Sequence, residues 1–376
     1  MYILISIFVL LGLFYLGFLL QILSGLKRLS PNGNRQVDNP FVTIIVPFRN
    51  ESEVILKCLR SLEAQSYPHE KYEILFIDDF SNDNSILELN SNKRLLNTQV
   101  ISVPNDFQKL SPKKRGIKLG IEKSRGEIIL TTDADCVHPK EWIETMVSAF
   151  DETTGFISGP VKFSDTKRFF GKIQQLEFGG LVLTGAGLIG SNKATICNAA
   201  NIAYRKEAFE YVGGFEDNQH LSSGDDEFLM QKIANSGKYK VQFLLSAKTL
   251  VETEANKTFN GFIQQRKRWA SKGLFYNDKM LILKLIFIYF FFLSLPTQLL
   301  LGLLLDSIFL YTLIAIMHGK VLLEYMILRR GIPLLYRIIE FHVLFIAELI
   351  HVPYIILAGF SGALGNFKWK GRNLKR

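Results

Sequence analysis

Residues 126–135 read GEIILTTDAD: an apolar run from Ile128 to Leu130, two threonines, then the carboxylates Asp133 and Asp135 one residue apart. A short apolar run closed by polar turn residues reads as a buried strand. Working upstream, 111–123 (SPKKRGIKLGIEK) reads as a basic helix, 98–104 (TQVISVP) as a short strand, and Asn84 to Leu95 as helical. Before them, 72–79 (YEILFIDD) is a strand ending in Asp78 and Asp79, Ser52 to Gln65 is helical, and 41–47 (FVTIIVP) is a β-branched strand closed by Pro47. Strands and helices in alternation, with the strands apolar throughout, indicate a parallel, doubly wound α/β sheet. Ligands of such sheets bind beyond the carboxyl ends of the strands, where all four aspartates fall.

Downstream of Asp135 the rhythm loosens. ISGPVKF (157–163) and ATICNAANIAYR (194–205) read as strands, SSGDDEFLMQKIANSG (222–237) as a loop entering a helix, and VQFLLSAKTLVET (241–253) as one or two more strands. FNGFIQQRKRW (259–269) is an amphipathic helix that leads straight into apolar sequence.

At roughly 100–200 residues per domain, 376 residues accommodate one large domain and an accessory region. The 48% apolar content is ordinary, but it crowds into the first stretch and the last hundred residues. Tyr2 to Leu23 carries no charge, long enough to cross a hydrocarbon core of roughly 30 Å. Its basic residues follow the apolar run, opposite to a cleaved leader; Lys27, Arg28 and Arg35 then place the following domain in the cytoplasm. From about Met280 two further spans are expected, then a more polar run, Leu334 to Leu364, carrying Glu340, His342, Glu348, His351 and Pro353. A third crossing would export the basic tail (Lys368, Lys370, Arg372, Lys375, Arg376) against the positive-inside tendency, so a hairpin or an interfacial helix is expected there. The expected organisation is a membrane anchor at 1–26, a cytoplasmic domain at 40–273, transmembrane or interfacial helices at 280–364 and a basic tail at 365–376.

The net charge of +9 suits nucleic acid or an anionic membrane surface. Its excess sits beside the apolar segments, and no basic groove with interleaved aromatics is present, so a bilayer is the expected partner and nucleic acid is not. Cys58, Cys136 and Cys197 are odd in number and lack metal-ligand spacing, which excludes a disulfide framework or a zinc site.

Five clusters carry candidate chemistry, each with a plainer reading. Asp133 and Asp135 suit Mg²⁺ or Mn²⁺, hard cations that share substrate phosphates; the plain reading is a solvated turn. Asp78 and Asp79 suit hydrogen bonds from a nucleoside base and ribose, or form an exposed turn with a helix cap at Ser81 or Asp83. Lys113, Lys114 and Arg115 face a nucleotide or form a solvated helix start. Asp225, Asp226 and Glu227 behind Gly224 offer a general base or simply complement a helix N-terminus. In Gln264 to Trp269 (QQRKRW) a juxtamembrane basic belt explains Lys and Arg but not the paired Gln; Arg and Trp beside a leaving diphosphate supply neutralisation and stacking.

Taken together, VTIIVPFRNES, IDDFSND, TTDADC with Pro139 and Trp142, GDDEF and QRKRW resemble, in order and spacing over about residues 41 to 273, the family 2 glycosyltransferases of GT-A fold. The resemblance implies an inverting transferase that uses a nucleotide-diphospho-sugar and a divalent metal. It implies Pro47, Asn50, Glu51 and Asp79 at the nucleoside, and Asp133 and Asp135 at ribose, metal and diphosphate. Asp226 matches the family's base, and Gln265, Arg266, Arg268 and Trp269 match its QxxRW segment near the acceptor or departing diphosphate. Large processive synthases carry more C-terminal membrane helices. A single transfer to a hydroxyl of a lipid-linked or envelope glycan is therefore expected, ahead of a short processive polysaccharide synthase or a non-catalytic nucleotide-binding scaffold.

Overall fold

A computed structural model describes residues 1–29, 39–105, 111–216, 224–364, 367–369 and 372–374, with side chains up to residue 361 apart from residue 274. Arg35, Ser223 and the side chains of the basic tail lie outside the described residues. The chain divides into two compact units.

The first unit, residues 28–165 and 184–255, is built on a sheet of seven strands: β1 (Val42–Phe48), β2 (Tyr72–Asp78), β3 (Thr98–Ser102), β4 (Ile128–Thr131), β5 (Thr154–Ser158), β7 (Ile202–Arg205) and β8 (Lys240–Phe243). Their order is β3-β2-β1-β4-β7-β5-β8. The expected βα alternation holds through β4, with helices α2 (Ile55–Glu63), α3 (Ser85–Asn92) and α4 (Pro112–Lys123) between parallel strands. The sheet as a whole is mixed, because β7 runs antiparallel to both β4 and β5. Strands β6 (Val161–Phe163) and β9 (Val251–Thr253) form a separate parallel pair. Helices α5 (Trp142–Ser148), α7 (Lys206–Tyr211) and α8 (Asp225–Asn235) complete the unit. Of ATICNAANIAYR only the last residues form a strand.

Pro47 sits in the central strand without breaking it. The β1–β4 ladder ends at Ile45 and Thr131, so the N–H that Pro47 lacks falls beyond the paired stretch. Helix α4 lies close on β1: a Cβ added at Gly120 would come within 2.6 Å of Ile45. Gly120→Ala is expected to cost about 1–3 kcal/mol through overpacking and to lower the thermal unfolding midpoint in detergent. Gly17→Ala, where an added Cβ meets nothing within 4 Å, serves as the control and should leave it unchanged.

The second unit comprises residues 1–27, 166–183 and 256–376. It holds helix α1 (Tyr2–Arg28), the first part of α6 (Phe169–Gly190), α9 (Phe259–Ala270), α10 (Lys279–Leu304), α11 (Ile308–Arg330) and α12 (Phe341–Leu364), then the short strands β10 (Phe367–Trp369) and β11 (Arg372–Leu374). Helices α1, α10, α11 and, over Phe341–Ser361, α12 are long and apolar enough to cross a membrane. Tyr15 of α1 stacks on Phe291 of α10 with ring centroids 4.1 Å apart, and its hydroxyl donates to Glu324 Oε1 at 2.7 Å. The fully buried Lys320 ammonium bonds Glu324 at 2.7 Å and Glu348 at 2.5 Å, so charges on α11 and α12 are paired within the helix bundle.

The hairpin expected between Leu334 and Leu364 is not formed. Phe341–Leu364 is one continuous helix with Pro353 inside it. Its side of the expectation that concerns placement rests on where α12 meets its neighbours. Val343 and Leu344 pack on Leu328, near the end of α11. His351 meets Phe292 with ring centroids 5.1 Å apart, the Tyr289 hydroxyl donates to the Ile356 carbonyl at 3.4 Å, and Gly359 lies against the Tyr289 ring. Over the roughly 12 Å of helix from His351 to Gly359 its partners on α10 retreat only from Phe292 to Tyr289, about 4.5 Å. A helix that advances so little along its neighbour crosses it obliquely. The basic tail is therefore expected on the same side of the membrane as Arg329 and Arg330. Asn373→Cys should stay unlabelled by an impermeant thiol reagent on intact cells while Tyr2→Cys reacts; labelling at 373 would establish a full crossing.

Candidate active site

In the sheet unit the loops after β1 and β2 are laced together by short polar side chains. Asn50 and Phe80 occupy the left-handed region, at φ 52° and 60°, which Asn tolerates better than most residues. Asn50 Oδ1 accepts from the Asn82 N–H at 2.9 Å, and the Asn50 N–H donates to Ser81 Oγ at 3.0 Å. The Glu51 N–H donates to Ser85 Oγ at 2.8 Å. Burial works against the Asp83 carboxylate, but the bonds it accepts from the Ser85 hydroxyl and from the N–H groups of Ser85 and Ser52 outweigh it and hold its pKa down, at about 2. Of the residues expected at the nucleoside, Asn50 and Glu51 thus also build the loop.

Asp78 and Asp79 do not form an exposed turn; both are buried. Asp78 Oδ1 accepts the Ser81 N–H at 3.0 Å. Asp79 is gripped by the Arg115 guanidinium, whose carbon also lies 5.2 Å from the Phe80 ring centroid. Burial raises the Asp79 pKa and Arg115 opposes that rise. The solvated reading of Lys113 to Arg115 is likewise corrected: Lys114 and Arg115 are buried, because α4 lies on the sheet and the start of that helix points at the strand ends. Lys114 Nζ lies 5.8 Å from the Phe228 ring centroid.

Lys113 joins the two acidic motifs. Its Nζ is 2.5 Å from Asp133 Oδ1 and 3.9 Å from Asp225 Oδ2. Burial works against the ammonium, but the carboxylates of Asp133 and Asp225 outweigh it and hold the Lys113 pKa above the ordinary lysine value. Asp135 accepts from Thr253 Oγ1 at 3.2 Å, and burial followed by repulsion from Asp133 raises its pKa. Two hard carboxylates that repel each other at a strand end, Asp133 half-buried and Asp135 exposed, fit a Mg²⁺ or Mn²⁺ ion. Burial and the same aspartates push up the pKa of the nearby Cys58 and Cys136 thiols.

At the start of α8, Gly224 adopts φ +84°, and a Cβ there would strike the Phe228 ring. That turn delivers Asp225, Asp226 and Glu227 into the first helical turn, all buried. Asp226 Oδ2 accepts from the Ala199 N–H and Oδ1 from the Glu227 N–H, both at 2.8 Å. These two bonds orient the carboxylate. Asp225 Oδ2 is buried and has no hydrogen-bond donor among the described residues.

Gln265, Arg266, Arg268 and Trp269 belong to the other unit, on α9. Gln265 Oε1 accepts from Asn256 Nδ2 at 2.9 Å. The Arg266 guanidinium carbon lies 4.2 Å from the Trp269 ring centroid, and Trp269 stacks on Phe178 at 5.9 Å. The partners Thr253, Ala199 and Glu177 carry no motif that a single sequence exposes; Lys113 and Arg115, in the basic run, were signalled.

A parallel-dominated sheet that gathers carboxylates at its strand ends, beside an antiparallel β7, is the fold of GT-A nucleotide-diphospho-sugar transferases. Residues 43–213 match the model of Glycosyl transferase family 2, and the chain carries a family 2 glycosyltransferase domain. It is 29% identical over 205 residues to Glycosyltransferase AglE of Haloferax volcanii, covering 54% of this chain and 64% of that protein. It is 31% identical over 120 residues to the undecaprenyl-phosphate 4-deoxy-4-formamido-L-arabinose transferase of Shewanella sediminis, covering 32% of this chain and 35% of that one. In fold it resembles the mannosyltransferase PcManGT of Pyrobaculum calidifontis, solved with GDP-Man and Mn²⁺, at TM-score 0.61 and 19% identity over 96% of this chain and 97% of that one. The chain thus spans less than two thirds of either of these two sequence relatives.

Proposed function

We propose that this chain is a membrane-bound, inverting, metal-dependent glycosyltransferase with its catalytic domain in the cytoplasm. It moves one sugar from a nucleotide-diphospho-sugar to a hydroxyl of a lipid-linked or envelope glycan acceptor. The observation that carries the reading is Lys113 bridging Asp133 and Asp225, which sets the DAD turn beside the GDD turn in one unit. The relatives' names support the donor and acceptor classes: PcManGT is solved with a nucleotide-sugar and Mn²⁺, and the Shewanella protein acts on undecaprenyl phosphate. The division into an anchor at 1–26, a transferase domain at 40–273, apolar helices at 280–364 and a basic tail belongs to the same proposal.

In this mechanism Pro47, Asn50, Glu51, Asp78, Asp79 and Lys114 surround the nucleoside end of the donor, with Asp79 held by Arg115. Asp133 and Asp135 would hold the divalent ion, which when bound would neutralise the diphosphate. Asp226, aimed by the Ala199 and Glu227 N–H groups, takes the proton of the acceptor hydroxyl as its oxygen attacks the anomeric carbon in line. The bond to the diphosphate oxygen breaks on the opposite face, so the anomeric configuration inverts. Gln265, Arg268 and Trp269 are assigned to the same reaction by the resemblance. The test is a screen of nucleotide-sugars against polyprenyl-linked acceptors with lipid-reconstituted protein, reading nucleoside diphosphate release. A protein that binds nucleotide and turns over none of the donors would be a scaffold instead.

A further inference from the structure

The two arginines of QRKRW are in different states. Every kind of nitrogen on the Arg266 guanidinium is engaged: Nε donates to Glu177 Oε1 at 3.1 Å, Nη2 to Glu177 Oε2, and Nη1 to Gln265 Oε1 at 2.5 Å. Its faces are covered by the Phe262 ring at 4.5 Å and the Trp269 ring at 4.2 Å, and the side chain is 2% exposed. Among the described residues no hydrogen bond or ion pair engages the Arg268 guanidinium, which is only partly buried.

Glu177, the partner of Arg266 from another helix, is itself held in place, and so is Gln265. Glu177 lies on α6, and Tyr354 of α12 donates its hydroxyl to Glu177 Oε1 at 3.2 Å. Gln174, one turn before Glu177, holds both the N–H and the C=O of Asn256, whose side chain reaches Gln265. A bidentate Arg–carboxylate pair is the strongest and most directional ion pair available to a protein. Here it joins α6, α9 and α12 around the base of Trp269.

We propose that Glu177, Arg266 and Tyr354 form a clamp that fixes the QRKRW helix, so that Arg266 is a positioning residue and Arg268 is the guanidinium left for an anionic group. The inference rests on the transferase reading for its consequence in turnover, but not for the clamp itself. If Arg266 instead bound the donor's diphosphate, its removal would weaken nucleotide binding and Glu177 would be indifferent.

The experiment is a double-mutant cycle on the full-length protein in lipid, with Glu177→Gln, Arg266→Gln and the double variant. Tyr354→Phe and Glu177→Asp are added as mild variants that keep the fold testable. Three readouts are taken: the thermal unfolding midpoint, the affinity for free nucleoside diphosphate with Mn²⁺, and kcat with donor KM. Each single variant should lower kcat by about 10²-fold, as a small misplacement of a reacting group does, with nucleotide affinity within about threefold of the parent. Removing both partners leaves no uncompensated buried charge, so the double variant should recover midpoint relative to either single one. Midpoint losses that simply add would overturn the clamp, as would loss of nucleotide affinity in Arg266→Gln with Glu177→Gln unaffected. If the parent turns over no donor, the midpoint cycle still decides the clamp while the transferase reading fails separately.

Discussion

Asp226→Asn is expected to lower turnover about 10²–10⁴-fold while donor affinity stays near that of the parent. The amide keeps the size of the side chain and can still accept the N–H of Ala199 or Glu227, but it cannot take up the acceptor's proton. Because one of those two backbone donors would then face an NH₂ group, the variant should also unfold at a somewhat lower temperature, and kcat must be measured on protein shown to be folded. Asp225→Asn is expected to be milder in kcat, since its partner is Lys113 rather than the acceptor. Parental turnover in Asp226→Asn, or a loss of donor binding instead of kcat, would make that carboxylate structural and move the base elsewhere.

The second large effect is on the metal. Asp135→Ala, or full chelation of the parent, should remove activity by about 10³-fold or more, because a diphosphate leaving group in a partly dry site needs its charge neutralised. Mn²⁺ or Mg²⁺ should restore the chelated parent and not the variant. Thr253→Val removes the hydroxyl that bonds Asp135 and should raise the metal concentration needed for half activity without abolishing turnover. Full activity in excess chelator would remove the metal assignment and leave Lys113 as the cation that pairs with Asp133.

Much of the sheet unit was legible because its strands are buried on both faces and therefore apolar throughout. FVTIIVP, YEILFIDD and GEIILTTDAD announced β1, β2 and β4 with near-correct limits, and the aspartates after them followed from the topology. The antiparallel β7 was not legible, since NIAYR carries the same apolar pattern whichever way it pairs. The division into units was not legible either. Helix α6 has a largely apolar composition that shows no sharp period, and it joins the apolar helices in its first part and the sheet unit in its second.

What the sequence determined by itself is the set of apolar strands and helices, and with them the carboxylates at strand ends, because burial acts on composition and period, which are properties of a local stretch. What only the tertiary structure decided is which charge answers which. Arg115 on Asp79, Lys113 between Asp133 and Asp225, Glu177 on Arg266 and Lys320 between Glu324 and Glu348 pair residues mostly far apart in the chain. A charge that is buried must find its partner wherever the fold brings one within hydrogen-bond reach, and no local pattern records that distance.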